Sequence, residues 1–421
     1  MHRTLESLHI AGGLVFATVF AACTPSPEPE IPLRFMEFES PAGAGATLPH
    51  LASRGGTTVL SWVAPAGTGH RLQYARLAER EWSAPILVAE GSDWFVNWAD
   101  FPAVVPIDEG YWVAHWLERN GDRPYAYDIA VATSDDHGLT WTARQRPHRD
   151  GLATEHGFVT AIESQGTATL IWLDGRQMGE GASHDDSAAH GAMALATAEI
   201  RFDGAIAPEQ LLDRAVCDCC QTDAATTPRG TLVVYRDREI DSERRDIAVM
   251  RRTRTGWSDP VLVHADNWVM RGCPVNGPAI DATGEFAAVA WFTAAERKPR
   301  VRIAMSRDGG DTFAAPVDLD GNAPLGRVDI VALPDGSVLV SWLAREAAES
   351  ALHVARVSAS DRIEGPWRVA HSSGARSAGF PQMIRSGEVL VLAWTEDSEP
   401  ARIRTVLAEL PLQWLVPVAP P

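Results

Sequence analysis

The chain is short of positive charge. Its 37 lysines and arginines stand against 55 aspartates and glutamates, giving a formal net charge of -18 over 421 residues. Nucleic acids and anionic lipid surfaces are held by clustered cations, so this deficit argues against both as partners. Long apolar runs are missing too: past the first 23 residues, no stretch reaches the ~18 consecutive apolar residues that cross a bilayer as a helix. A sustained apolar period of 3.6 residues is also lacking, and Gly and Pro punctuate the chain at short intervals, which excludes a helical architecture. Tyrosine and cysteine are scarce, with five of each. The cysteines are nevertheless concentrated. Three fall in Cys217-Asp218-Cys219-Cys220, and Cys273 follows in Gly272-Cys273-Pro274. Such density implies a disulfide cluster or a soft-metal site.

What is present begins with an N-terminal export pattern. Arg3 supplies a positive end, residues 10–22 are apolar apart from Gly and Thr, and Ala21-Ala22-Cys23 closes the segment with small residues. With Phe20 where Leu is usual, the pattern resembles a bacterial lipobox, which implies lipidation at Cys23. The expectation is a lipid-anchored protein of the bacterial cell envelope, its body in the periplasm or at the surface. Residues 24–32 form a Pro-rich spacer, and 24–46 are read as linker plus a candidate clasp strand. Residues 47–421 are read as a single domain. Outside the cytoplasm disulfides persist, and with Cys23 set aside the remaining four cysteines permit two bridges.

A β-rich run ending in an aromatic recurs along this domain. Its copies end at Trp62, Trp116, Trp172, Tyr235, Trp291, Trp342 and Trp394, between 51 and 63 residues apart. Each unit holds about four strand-like runs with turn signals between them; in the first these are 49–53, 57–63, 71–77 and 82–88. Four short strands repeated at this period predict an all-β fold, a β-propeller of four-stranded blades. The count gives seven blades, ahead of six. The last unit has three clear strands, so its fourth is expected from residues 33–38 or 412–418, closing the ring.

Two units carry a sharper mark. Ser134-Asp135-Asp136-His137-Gly138-Leu139-Thr140-Trp141 and Ser306-Arg307-Asp308-Gly309-Gly310-Asp311-Thr312-Phe313 share the pattern S-x-D-x-G-x-T-aromatic. Asp binds backbone amides, Gly takes the positive φ, and the aromatic plugs between blades. The pattern resembles the Asp-box (BNR repeat) of sialidases and related bacterial propellers. The resemblance implies a sialidase-like fold with these turns on the face opposite the site.

The site face of such a propeller carries the loops leading into each first strand and those joining strands two and three. Counting back from the aromatics places Cys217, Cys219, Cys220, Cys273, His156, Asp100 and Asn97 in the lead-in loops. Asp174, Arg176, His184, Asp185, Asp186 and His190 follow Trp172, and Arg236, Asp237 and Glu239 follow Tyr235. These residues are expected to converge on a central funnel where a small molecule, a metal or a glycan binds.

Three readings of that funnel stand. A sialidase needs an arginine triad, a Tyr/Glu nucleophile pair and an acid. Arg236, Arg327 and Arg376 are available cations, but Thr47 stands where the family's Arg-Ile-Pro arginine belongs, and Tyr235 fills a core position. Another glycan hydrolase would draw on Asp100, Glu155 or Asp174. A metal site would use the four cysteines with His156 or His184 and suit copper or zinc. Two structural disulfides, for example Cys217 or Cys219 to Cys273, form the third, with a Cys219–Cys220 bridge strained. His50 and His115 are read as satisfied or exposed, the run 239–252 as solvated, and Trp94 and Trp98 as sugar-stacking residues or hub caps.

Overall fold

The structure, a computed structural model, describes residues 32–178, 191–346 and 349–417. Cys23, His184, Asp185, Asp186 and His190 lie outside the described residues. Seven antiparallel sheets form seven blades. Their innermost strands are Thr47–Arg54, Ala103–Pro106, His156–Ser164, Asp223–Thr227, Ala279–Thr283, Pro324–Ala332 and Gln382–Ser386. The second strands carry the recurring aromatic, which is almost wholly buried in every blade. In four of them the indole N–H meets a carboxylate: Trp116 with Glu118, Trp172 with Asp174, Trp291 with Asp266 and Trp342 with Asp320. A buried indole needs such an acceptor, so each aromatic fixes both a packing layer and a polar contact.

The fourth strands depart from a regular repeat where proline intervenes. In blades one and four the strand splits into Glu81–Trp82 and Ile86–Gly91, and into Gly256–Trp257 and Val261–His264. Pro85 and Pro260 stand in the two gaps and have no N–H to donate to a ladder. Blade two has three strands, with Gln145 making an isolated bridge to Val131 in place of a fourth.

The ring closes with N-terminal chain. Met36–Phe38 pairs with Arg402–Glu409 as the outer strand of blade seven, Met36 opposite Leu407 and Phe38 opposite Thr405. The other candidate for that strand, residues 412–418, is instead a short 3-10 turn over Leu412–Leu415. Among the described residues, no helix is long and apolar enough to cross a membrane.

Both Asp-boxes adopt one hydrogen-bond pattern at the end of a third strand. Asp136 accepts from the Thr140 amide at 2.9 Å and its hydroxyl at 2.6 Å, and the Gly138 amide donates to Ser134 Oγ at 2.8 Å. Asp308, Thr312, Gly310 and Ser306 repeat the same contacts. These bonds hold the Asp136 carboxyl low, at about 2. Gly138 has φ +81°, and a Cβ there would come within 2.7 Å of the Trp112 ring. Trp141 and Phe313 pack against the interblade clusters beside them.

Around the axis, every blade is tied to the next by a short polar contact. Asp223 accepts from the Ile280 amide at 2.8 Å, Asp281 from Ala332 at 2.8 Å, and Asp329 from Met383 at 2.6 Å. Asp100 accepts from Phe158 at 2.7 Å and Ser61 from Val104 at 3.2 Å. Thr160 donates to the Thr222 carbonyl at 2.7 Å, and Thr395 accepts from Leu48 at 3.3 Å, completing the circle.

Burial in the ring pushes the Asp223 carboxyl up to about 7 and Asp281 to about 6, against the pull of their amide donors, and Asp329 is raised too. A raised carboxyl favours its protonated form in the fold. Its contribution is complete below the ordinary carboxylate range near pH 4 and is lost as pH rises through 6 to 7. Thermal unfolding is therefore expected to shift down by several degrees between pH 5 and pH 8, and an Asp223→Asn, Asp281→Asn double variant should flatten that dependence.

Candidate functional site

The four cysteines converge, but they do not line an open funnel. The structure pairs Cys219 with Cys273 (Cα–Cα 6.1 Å) and Cys217 with Cys220 (Cα–Cα 5.7 Å). The pairing follows the direct distances, not the positional equivalence of Cys217 and Cys273. Cys217, Cys219 and Cys220 are buried in one apolar cluster with Phe158, Met178, Met193, Met250, Tyr235 and Phe380, and half-buried Cys273 packs at its edge. Their sulfurs lie within 4.8 Å of one another, close enough to serve one ion, yet a bridged sulfur carries no thiolate. A copper or zinc site at these thiols is therefore not formed in the bridged state.

His156 belongs to a different group. Its ring stacks on His148 at 3.8 Å and 2°. Nε2 lies 3.0 Å from Asp150 Oδ2 and 3.9 Å from Asp174 Oδ2, while Nδ1 faces the Tyr127 carbonyl at 3.3 Å and Asp128 at 3.8 Å. Burial alone would lower its pKa; the three carboxylates override that and raise it. Asp150, His156 and Asp174 have metal-ligand spacing. Asp174, however, is filled: Trp172 Nε1 donates at 3.0 Å, and Arg176 donates through its amide, Nε (2.7 Å) and Nη2 (2.8 Å). With its four lone pairs engaged, Asp174 serves a local ion lattice.

Asp100 and Glu155 do meet, through a residue that the sequence did not single out. Tyr127 Oη lies 3.0 Å from Asp100 Oδ2 and 2.7 Å from Glu155 Oε1. One phenol proton cannot serve both. Burial, reinforced by the Glu155 charge, lifts Asp100 to about 8, and the Tyr127 hydroxyl is placed to donate to either carboxyl group. All three are more than nine-tenths buried, with Tyr127 stacked on Phe95 at 4.0 Å. This is a sealed proton-sharing unit, out of reach of a ligand in the mouth.

The arginines are likewise engaged. Arg236 is fully buried and donates to three carbonyls, Asn276 (3.0 Å), Arg245 (2.7 Å) and Phe292 (2.7 Å); burial lowers it to about 9. Arg327 donates to Ala375 (3.0 Å) and Gly379 (2.8 Å) and lies 4.9 Å from the Trp98 ring, with burial lowering it to about 10. Each ties two blades by their backbone. Arg376 is exposed, 5.9 Å from Trp98. The run 239–252 is only partly solvated, because Arg245 and Asp246 are buried. Trp94 is core, stacked on Trp116; Trp98 caps the hub, stacked on Phe380. Gln221 crosses to the Ala99 carbonyl at 2.7 Å beneath this cap.

Below lies an axial channel of about 760 Å³ bounded by the innermost strands. His50 and His115 face it, neither satisfied nor exposed as expected. Both ring nitrogens of His115 and Nδ1 of His50 are buried without a partner. Burial depresses them to about 3 and about 4, keeping both rings neutral.

Among the described residues, an open concavity on the mouth face sits off-axis, between blades six and seven. It measures about 730 Å³ and is lined by Arg345, Glu349, His371, Trp394, Glu396 and Asp397. His371 Nδ1 pairs with Glu349 at 3.1 Å. Arg345, Glu349, Glu396 and Asp397 follow the aromatics Trp342 and Trp394 by two to seven positions, just as Asp174 follows Trp172, so the same count along the repeat would have found them; His371, near the end of a fourth strand, it would have missed.

No family model and no curated protein matches the chain. Solved structures do. A polysaccharide lyase, an ulvan lyase bound to -[GlcA(1-4)Rha3S]-, superposes with TM-score 0.56 at 14% identity over 91% of this chain and 100% of that one. A protein of unknown function from Dyadobacter fermentans gives 0.49 at 13% over 90% and 99%. A Hadza microbial sialidase gives 0.41 at 14% over 70% and 63%. The chain is a seven-bladed β-propeller, a fold it shares with the ulvan lyase. At these identities the likeness concerns the fold alone.

Within this propeller, the bridge between blades four and five closes a long loop, 54 residues in sequence. Chain-entropy bookkeeping puts its contribution at about 2–4 kcal/mol. Cys273→Ser is expected to lower urea-unfolding stability by that amount while leaving far-ultraviolet circular dichroism unchanged.

Proposed function

We propose that the protein is a cell-envelope lipoprotein, anchored through Cys23, whose propeller binds a glycan in the groove between blades six and seven and carries out no sialidase chemistry. The groove itself carries this reading. It is the size of a one- or two-sugar site, and three carboxylates, one arginine and one histidine line it. Carboxylates accept from neighbouring sugar hydroxyls, and Arg345 offers a planar fork to an acidic substituent. The ulvan lyase, which shares the fold, is bound to a uronate-containing glycan.

The state of the residues a sialidase would draw on supports this reading. Thr47 replaces an arginine, Arg236 and Arg327 are engaged by backbone carbonyls, and the Tyr127–Glu155 pair is buried. Titration calorimetry of the full chain with neutral and uronate-containing oligosaccharides is expected to show binding without release of sugar. Arg345→Ala should weaken uronate binding at least tenfold, and Asp397→Asn should weaken both classes. Binding that neither substitution changes would place the site elsewhere.

A further inference from the structure

The cysteine cluster has a second state. Cys217, Cys219 and Cys220 hold their sulfurs within 4.8 Å of one another, and Cys273 is bonded to Cys219, so all four sulfurs occupy one spot. They come from the lead-in loops of two blades. The surrounding cluster adds three buried thioethers, Met178, Met193 and Met250. Asp218, between Cys217 and Cys219, is buried against two buried guanidiniums, Arg238 at 3.1 Å and Arg245 at 3.7 Å. Arg245 keeps one buried N–H without an acceptor. Glu243 shares both guanidiniums, 2.8 Å from Arg238 and 3.1 Å from Arg245, so two carboxylates balance the two cations beside the cluster. What singles the cluster out is its sulfur: four cysteines and three thioethers, all soft ligands, gathered in one place.

We propose that reduction of both bridges converts this cluster into a four-sulfur site for one soft metal ion, Cu(I) ahead of Zn(II). The co-reactant is an external dithiol. Its thiolate attacks Cys273 Sγ, the half-buried sulfur, forming a mixed disulfide and releasing Cys219 as thiolate. The second thiol of the reagent then displaces Cys273, and the reagent leaves as a disulfide, having supplied two electrons and two protons. With the two loops no longer tied, a second equivalent reduces Cys217–Cys220 in the same way. Metal binding then releases the thiol protons, leaving thiolate ligands drawn from two blades. The metal takes over from the Cys219–Cys273 bridge as the tie between blades four and five. This site is separate from the groove between blades six and seven, so glycan binding by the oxidised chain succeeds or fails independently of it.

The test uses the full chain carrying Cys23→Ser, which leaves only these four cysteines. After reduction with dithiothreitol and anaerobic desalting, four thiols should titrate while the near-ultraviolet tryptophan signal persists. Cu(I) titrated against a chromophoric chelator should then bind at one equivalent, with a sulfur-to-copper charge-transfer band, and the oxidised chain should bind none. Cys273→Ser, added to the same background, should weaken binding at least a hundredfold while its near-ultraviolet spectrum stays that of a folded propeller. Binding by the oxidised chain, binding that Cys273→Ser leaves unchanged, loss of the tryptophan signal on reduction, or a reduced chain that takes no Cu(I) would each overturn the proposal. A site that takes Zn(II) but not Cu(I) would overturn the choice of a soft ion.

Discussion

The structure depends on a ring of short hydrogen bonds around its axis. A propeller blade buries its two faces against its neighbours, yet apolar contact between twisted sheets has no preferred register and lets blades slide. An aspartate side chain that accepts the amide of the next innermost strand does have one. At four of the seven junctions the acceptor is an aspartate, Asp100, Asp223, Asp281 or Asp329; at two it is a hydroxyl, Ser61 or Thr395, and at the last the Thr160 hydroxyl donates to a carbonyl instead. Each such bond is modest against the apolar clusters between blades, but it is directional, and an unpaired amide at the hub would be costly.

That constraint determines which polar groups remain for function. Near the axis, Tyr127, Asp100 and Glu155 share protons internally, Arg236 and Arg327 hold backbone carbonyls of the adjoining blade, and the cysteines are bridged in an apolar cluster. The centre of the mouth is capped by Trp98 on Phe380. Polar side chains that a ligand could reach lie outward, in the groove at Arg345, His371, Glu396 and Asp397, and downward at the channel, where His115 and Nδ1 of His50 have no partner. A funnel that looks rich in catalytic residues when its loops are aligned becomes, once folded, mostly scaffold.

Much of the fold was legible because its signals are local. The recurring aromatic and the Asp-box turn each act within a span of a few residues, and they located strands, turns and the number of blades. Irregularities were not read: the run 82–88 counts as one strand in the repeat although Pro85 breaks it, and Pro260 breaks the fourth strand of blade four in the same way. The candidate site was less so. Asp100 and Glu155 were placed on the correct face, but the phenol that joins them was hidden in a third strand. Asp174 reads as part of the loop after Trp172; it ends the strand instead, where the close approach of Arg176 and Trp172 fills it.

The sequence by itself determined a seven-unit all-β ring with two Asp-box turns, since strand period and turn chemistry are encoded within each copy. It also determined that four clustered cysteines would lie at the junction of blades four and five. Only the tertiary structure decided that Cys219 meets Cys273 while Cys217 meets Cys220, that Met36–Phe38 closes the ring in preference to the C-terminal segment, and that the open groove lies off-axis. Each of those outcomes is a distance between segments far apart in the chain. Such distances follow from how the blades seat against one another, which no single repeat contains.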